Sequence, residues 1–245
     1  MQIHSIHKLY QQRLARSTRP FRARGANVKR CGYCMVAEHL CICQHKVTLK
    51  TDCAFMLVMY DDEILKPSNT GRLIADTVED TVCFIWSRTK PDRDMLRMLS
   101  DSKWQPYVVF PAQYAMPERV VEAPTNDGNK RPLFIVIDGT WQEAKKIFRK
   151  SQWLTQFPVL SIQTDAASRY KVRSANGENQ LATAEVAAKV LDLAGEKQAS
   201  ICLDAWFDVF KEHYLAGKRQ KQLPECSALD TFKKLSASGF APDCD

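Results

Sequence analysis

Four cysteines within thirteen residues, Cys31-x2-Cys34-x6-Cys41-x-Cys43, give the densest chemical signal in the chain. Thiolates are soft ligands that hold Zn2+ in closed tetrahedral sites, and a CxxC pair forms the tight turn that aims two sulfurs at one ion. The CxC half is tighter than the usual ribbon spacing, so His39 as a substitute ligand, an iron–sulfur cluster and unligated thiols stand beside the four-cysteine zinc reading. A second signal is Asp138-Gly139-Thr140-Trp141, placed between the apolar run 133–137 and a helical pattern. In open α/β sheets ligands bind beyond the carboxyl ends of the strands, where a carboxylate is placed for acid–base work. The same residues also read as scaffold, with Asp138 as a cap and Trp141 as the first core residue of the helix.

Two further segments carry candidate chemistry. Lys66-Pro67-Ser68-Asn69-Thr70-Gly71-Arg72-Leu73 sets small hydroxyl and amide residues beside a glycine at a helix start, either as an anion-facing turn or as an ordinary N-cap by Ser68, Asn69 or Thr70. The third segment runs from Phe157-Pro158-Val159-Leu160 through Ser168-Arg169-Tyr170-Lys171-Val172-Arg173 to Gln180-Leu181-Ala182-Thr183-Ala184-Glu185. It joins a strand to a helix by a long loop with three basic residues, and such loops inside compact domains tend to be functional. Its bland alternative is a solvated connection, with Glu185 an exposed helix charge.

The elements that must position these residues alternate between strand and helix. Apolar runs at 54–59, 82–86, 107–110, 133–137 and 159–162 read as strands buried on both faces, which predicts an α/β domain with a mostly parallel sheet. Trp141, Ala144, Ile147 and Phe148 recur at helical spacing, as do Leu181, Ala184, Ala188 and Leu191, with Gly177 before that helix and Gly195 after it. A third helix covers 201–215. A surface loop is expected at Asn126-Asp127-Gly128-Asn129. With 245 residues, 45% apolar and 26% charged, the chain folds as one main unit with a small appendage, and disorder, collagen-like repeats and coiled coil are excluded. The apolar runs fall far short of the roughly 20 residues of a bilayer span.

Charge is unevenly spread. Ten of the 35 Lys and Arg residues, but only one of the 28 acids, lie in residues 1–50, and the rest of the chain is slightly acidic. A basic segment of this kind suits a polyanion, since each cation that replaces counterions on a phosphate backbone adds affinity independent of sequence. A basic unstructured arm or a presequence has the same composition, while a secretory signal lacks its apolar region here. Nine cysteines cannot all pair within the chain, which points to a reducing, cytoplasmic compartment. Cys53, Cys83 and Cys202 read as small core residues.

The ordered set of motifs, Cys-x2-Cys…Cys-x-Cys, Ser-Asn-Thr-Gly-Arg-Leu, Asp-Gly-Thr-Trp and Ser-Arg-Tyr…Leu-x-Thr-Ala-Glu, resembles the DTW-domain proteins. More closely it is similar to the bacterial tRNA-uridine aminocarboxypropyltransferases, over roughly residues 28–215. The resemblance implies a SPOUT-like α/β fold with a C-terminal trefoil knot, preceded by a small zinc-binding module. The implied divisions are a basic arm and four-cysteine module over 1–50, a catalytic domain over 51–217 and a tail over 218–245. The family often has His-Pro before the Glu of its first block, where this chain has Tyr60-Asp61-Asp62-Glu63.

The activity implied is transfer of the 3-amino-3-carboxypropyl group of S-adenosylmethionine to N3 of a uridine in the tRNA variable loop. Asp138 matches the motif carboxylate and is the implied general base. Ser68 and Thr70 would meet the amino-acid end of S-adenosylmethionine. Thr140 and Trp141 would shape its pocket, and Pro158 to Leu160, Ser168, Arg169, Tyr170, Leu181, Thr183 and Glu185 would hold adenosine. Arg72, Arg169 and Arg173 would meet either the substrate carboxylate or RNA phosphate. Arg22, Arg24, Lys29 and Arg30, with the structural zinc on Cys31, Cys34, Cys41 and Cys43, would dock the tRNA body. No membrane and no obligate protein partner are expected, and a monomer is favoured. The rival readings are an S-adenosylmethionine-dependent tRNA or rRNA methyltransferase of the same fold, and a zinc-containing RNA-binding protein without catalysis.

Overall fold

The computed structural model describes residues 3–19, 28–125, 128–162 and 181–241. Strands β1 (Ala54–Met59), β2 (Thr81–Ile85), β3 (Trp104–Val109), β4 (Val120–Val121), β5 (Arg131–Asp138) and β6 (Val159–Leu160) form one six-stranded sheet in the order β2-β1-β5-β3-β6-β4. Every pairing is parallel, as the doubly apolar runs require. Because side chains alternate along a strand, β1 divides the interior in two. Phe55, Leu57 and Met59 join one cluster with Phe134 and Val136, while Ala54, Met56 and Val58 join a second with Leu133 and Ile135.

Helices cover both faces. α1 (Ser5–Ala15), α2 (Gly71–Thr77), α5 (Thr183–Leu193), α6 (Lys197–Arg219) and α7 (Ala228–Ala237) supply the first cluster, and α3 (Arg93–Leu99) and α4 (Trp141–Lys150) the second. α4 opens with a capping box: the Thr140 hydroxyl accepts from Glu143 N at 3.4 Å, and Glu143 Oε2 accepts from Thr140 N at 2.7 Å. α5 ends at Gly195, whose φ of +81° is the left-handed turn anticipated there.

Several elements depart from the sequence-based expectation. Part of the basic N-terminal segment is a helix, not an arm: Ile6 of α1 is fully buried, the Ser5 hydroxyl donates to Thr81 O at 2.7 Å, and Arg13 pairs with Asp61 and Asp62 at 2.7 and 2.9 Å. The tail over 218–245 contains α7, capped by Ser227 and packed through Phe232 on Trp206 with ring centroids 5.1 Å apart. α3 and the two-residue β4 were not anticipated either. The loop glycine Gly128 has a φ of +73°, whereas Asn126, Asp127 and Gly177 lie outside the described residues.

Candidate active site and metal centre

β1 and β5 run side by side with Met59 opposite Asp138, so their carboxyl ends deliver Tyr60 and Asp138 to the same edge. Tyr60 N donates to Asp138 O at 2.9 Å. The Asp138 side chain is 2% exposed, and two distant segments reach it. Asn69 Nδ2 donates to Oδ2 and the Thr183 hydroxyl donates to Oδ1, each at 2.7 Å. Thr70 Oγ1 accepts from Ala184 N at 3.4 Å, which joins the starts of α2 and α5 directly. Thus the Ser-Asn-Thr-Gly, Asp-Gly-Thr-Trp and Leu-x-Thr-Ala-Glu blocks converge on one carboxylate.

Glu63 is the residue that sequence reasoning missed. It is fully buried, accepts from Asn69 Nδ2 at 3.0 Å and from Lys66 Nζ at 2.7 Å. Lys66 also stands 3.9 Å from Glu143, so one ammonium links the buried acid to the capping acid of α4. Asn69 Oδ1 accepts from Arg72 N at 3.3 Å, which fixes the amide's orientation: its NH2 faces two carboxylates. The spacing Glu63-x2-Lys66-x2-Asn69 was the only available signal. Gly71 completes the site by having no Cβ, since one there would lie 2.5 Å from Asp138 Oδ2.

The other anticipated residues divide. Thr140 is the N-cap of α4. Trp141 stacks on Phe110 at 5.6 Å and meets Tyr114 edge-on at 5.5 Å, so it belongs to an aromatic cluster at the carboxyl ends of β3 and β5. Pro158 O and Leu160 O accept from Val108 N and Phe110 N at 2.9 and 3.2 Å, which commits them to the sheet. Glu185 is buried, not an exposed helix charge, and its Oε2 accepts from Ala182 N at 2.7 Å. Leu181 and Thr183 flank that turn. Ser168, Arg169, Tyr170 and Arg173, like Arg22 and Arg24, lie outside the described residues.

Arg72 requires a correction. At 2% exposure its guanidinium is turned inward, not toward solvent where RNA phosphate would lie, and it donates to the carbonyls of Asn69, Tyr33 and Lys66 at 3.2, 3.2 and 3.4 Å. Burial pushes its pKa down, opposed by Asp76. Arg72 therefore ties the cysteine module to the loop under Asp138.

Within that module the four Sγ atoms of Cys31, Cys34, Cys41 and Cys43 all lie within 4.8 Å of one another, with Cys31–Cys43 at 3.6 Å and Cys34–Cys41 at 3.8 Å. Thiolates about 2.3 Å from a tetrahedral metal are separated by about 3.8 Å, so the four can hold an ion. The knuckle closes through Cys31 N to Val36 O at 2.9 Å and Met35 N to Cys31 O at 3.0 Å, with Met35 left-handed at φ 61°. His39 is outside the cluster. The module sits against α6, where a Cβ on Gly217 would meet Ala37 at 2.9 Å and His213 Nδ1 is 2.9 Å from Leu40 O. Arg30 donates to Met35 O at 3.0 Å and lies over the Tyr214 ring, while Lys29 is exposed beside Glu38 at 2.9 Å. Cys53, Cys83 and Cys202 are buried as expected.

The chain is thus an α/β protein with a parallel sheet, a buried carboxylate at the sheet's carboxyl edge and a cysteine cluster packed on α6, and comparison with known proteins gives its family. The DTW domain family matches residues 28–215, and the chain belongs to that family. It is 25% identical over 171 residues to tRNA-uridine aminocarboxypropyltransferase 2 of Macaca fascicularis and 24% identical over 169 residues to that of Mus musculus. In each case 66% of this chain and 55% of the relative are covered, so the chain spans about half the length of the curated relatives it matches. No solved structure matches. No described helix is long and apolar enough to cross a membrane.

Proposed function

We propose that the protein transfers the 3-amino-3-carboxypropyl group of S-adenosylmethionine to N3 of a uridine in tRNA. The observation that carries this reading is the convergence of Asn69, Asp138 and Thr183, one from each motif block, in two hydrogen bonds of 2.7 Å. Uridine N3 holds its proton at neutral pH and needs a positioned base. Asp138, kept an acceptor by two donors, takes that proton; N3 attacks the substituent carbon, the C–S bond breaks, and 5′-methylthioadenosine leaves with the electron pair. A positioned base typically contributes about 10²- to 10⁴-fold, and holding both reactants together contributes more.

S-adenosylmethionine would be held at the carboxyl edge of the sheet by Trp141, Pro158, Leu160 and the residues that open α5, and it would supply the aminocarboxypropyl group. Ser68 and Thr70 face its amino-acid end, and Leu181, Thr183 and Glu185 shape the wall opposite. The SPOUT-like class and its trefoil knot belong to this reading, and Ser168, Arg169, Tyr170 and Arg173 lie outside the described residues. Zinc on Cys31, Cys34, Cys41 and Cys43 would be structural, holding Lys29 and Arg30 toward the RNA body. The protein acts in the cytoplasm as a monomer.

The test is Asp138→Ala assayed for aminocarboxypropylated uridine beside a tRNA-binding measurement. The reading predicts lost product with binding retained. Product formed at the wild-type rate would overturn the base assignment, and S-adenosylhomocysteine released by the wild type would support a methyltransferase instead.

A further inference from the structure

Beside Asp138, on the same sheet edge, three side chains form a feature at the rim of the second core cluster that the proposed chemistry does not use. Tyr60 and Trp86, from the exits of the neighbouring strands β1 and β2, stack with centroids 6.1 Å apart and planes 24° from parallel. Lys146 of α4 stands over both, its Nζ 5.4 Å from the Tyr60 ring and 5.8 Å from the Trp86 ring, and donates to the Tyr60 hydroxyl at 3.2 Å. Both rings are only half-buried, yet both are firmly held. Trp86 N donates to Met59 O at 2.8 Å and its indole N–H donates to Ser151 Oγ at 2.8 Å. Tyr60 is anchored through its backbone to Asp138.

The surroundings are basic. Lys146, Arg149 and Lys150 lie on one exposed face of α4, and exposed Arg88 and Lys90 follow Trp86. Among the described residues none of these five is ion-paired with a carboxylate. Rigid aromatic faces flanked by unneutralised cations match the chemistry of single-stranded RNA, whose splayed bases stack on rings while its phosphates meet Lys and Arg.

We propose that Tyr60, Trp86 and Lys146 form a stacking platform for an unpaired base of the RNA substrate, with Arg149, Lys150, Arg88 and Lys90 receiving its phosphates. In the bound state Lys146 exchanges the ring faces for a phosphate, and the base takes its place on the rings. The choice of tRNA as probe rests on the function proposed above, but the readout is binding without S-adenosylmethionine or turnover. Absence of product from the wild type would defeat the transfer reading and leave the platform standing.

The experiment measures affinity of the full chain for an unmodified tRNA transcript and for a perfect RNA duplex of equal length, across a salt series. Tyr60→Leu is expected to weaken tRNA binding about ten-fold and leave duplex binding unchanged, since base–aromatic stacking needs a splayed base. Tyr60→Phe keeps the ring and is expected to bind tRNA as the wild type does. Lys146→Glu with Arg149→Glu, both at exposed positions, should lower the slope of log affinity against log salt by about 2. Unchanged affinity and slope in variants with wild-type circular dichroism would overturn the proposal. Equal losses for tRNA and duplex on Tyr60→Leu would overturn the stacking role.

Discussion

Asn69 donates to Asp138 and Glu63 with the two hydrogens of one amide, and this residue decides how the site is held. Two buried carboxylates drawn together without it would leave acceptor facing acceptor, a strongly unfavourable arrangement. Asn69→Asp should therefore destabilise the fold and abolish turnover, measured by urea denaturation and by product formation. Gly71→Ala drives a methyl group toward Asp138 Oδ2 and should cost about 1–3 kcal/mol with loss of activity, read in the same two assays. At this scale the position of Asp138 at a strand exit was legible locally, whereas Thr183 entered only through the family resemblance, as a residue holding adenosine, and its bond to Asp138 was not foreseen. The role of Glu63 was not legible either, since its local spacing to Lys66 and Asn69 gains meaning only through the second bond of Asn69, to a carboxylate 69 positions away.

Elements set how the site's parts reach one another. The five main strands were readable from continuous apolar runs, and the helices after β5 and before Gly195 from their spacing. Three helices and an edge strand escaped for separate reasons. α1, with sequence SIHKLYQQRLA, is polar enough to read as an arm; α3 has seven residues; α7 follows a polar stretch; two-residue β4 shows no period. Ile6 tests whether α1 belongs to the core: Ile6→Ala should lower stability by about 2–5 kcal/mol in urea denaturation. The cysteine module predicts one tightly held metal per chain by elemental analysis. Removing it with a chelator, or Cys34→Ser, should lower the melting temperature and loosen the Arg72 contact with Tyr33.

Across the whole molecule the charge is less one-sided than its distribution along the chain suggested. Arg13, Arg30 and Lys46 of the basic segment are tied to Asp61 and Asp62, to Met35 O and to Asp76, while α4 and the turn after β2 present cations that have no acid partner among the described residues. Folding thus leaves exposed cations at the edge that carries Asp138. Affinity for tRNA should fall about ten-fold or more between about 50 and 200 mM salt, measured by fluorescence anisotropy. The measurement that bears most directly on the central claim is mass spectrometry of nucleosides and small molecules after incubation with S-adenosylmethionine and unmodified tRNA. A uridine heavier by one aminocarboxypropyl group, with an equal amount of 5′-methylthioadenosine, is the predicted result. A methylated nucleoside with S-adenosylhomocysteine, or unaltered tRNA from metal-replete, folded protein, would contradict it.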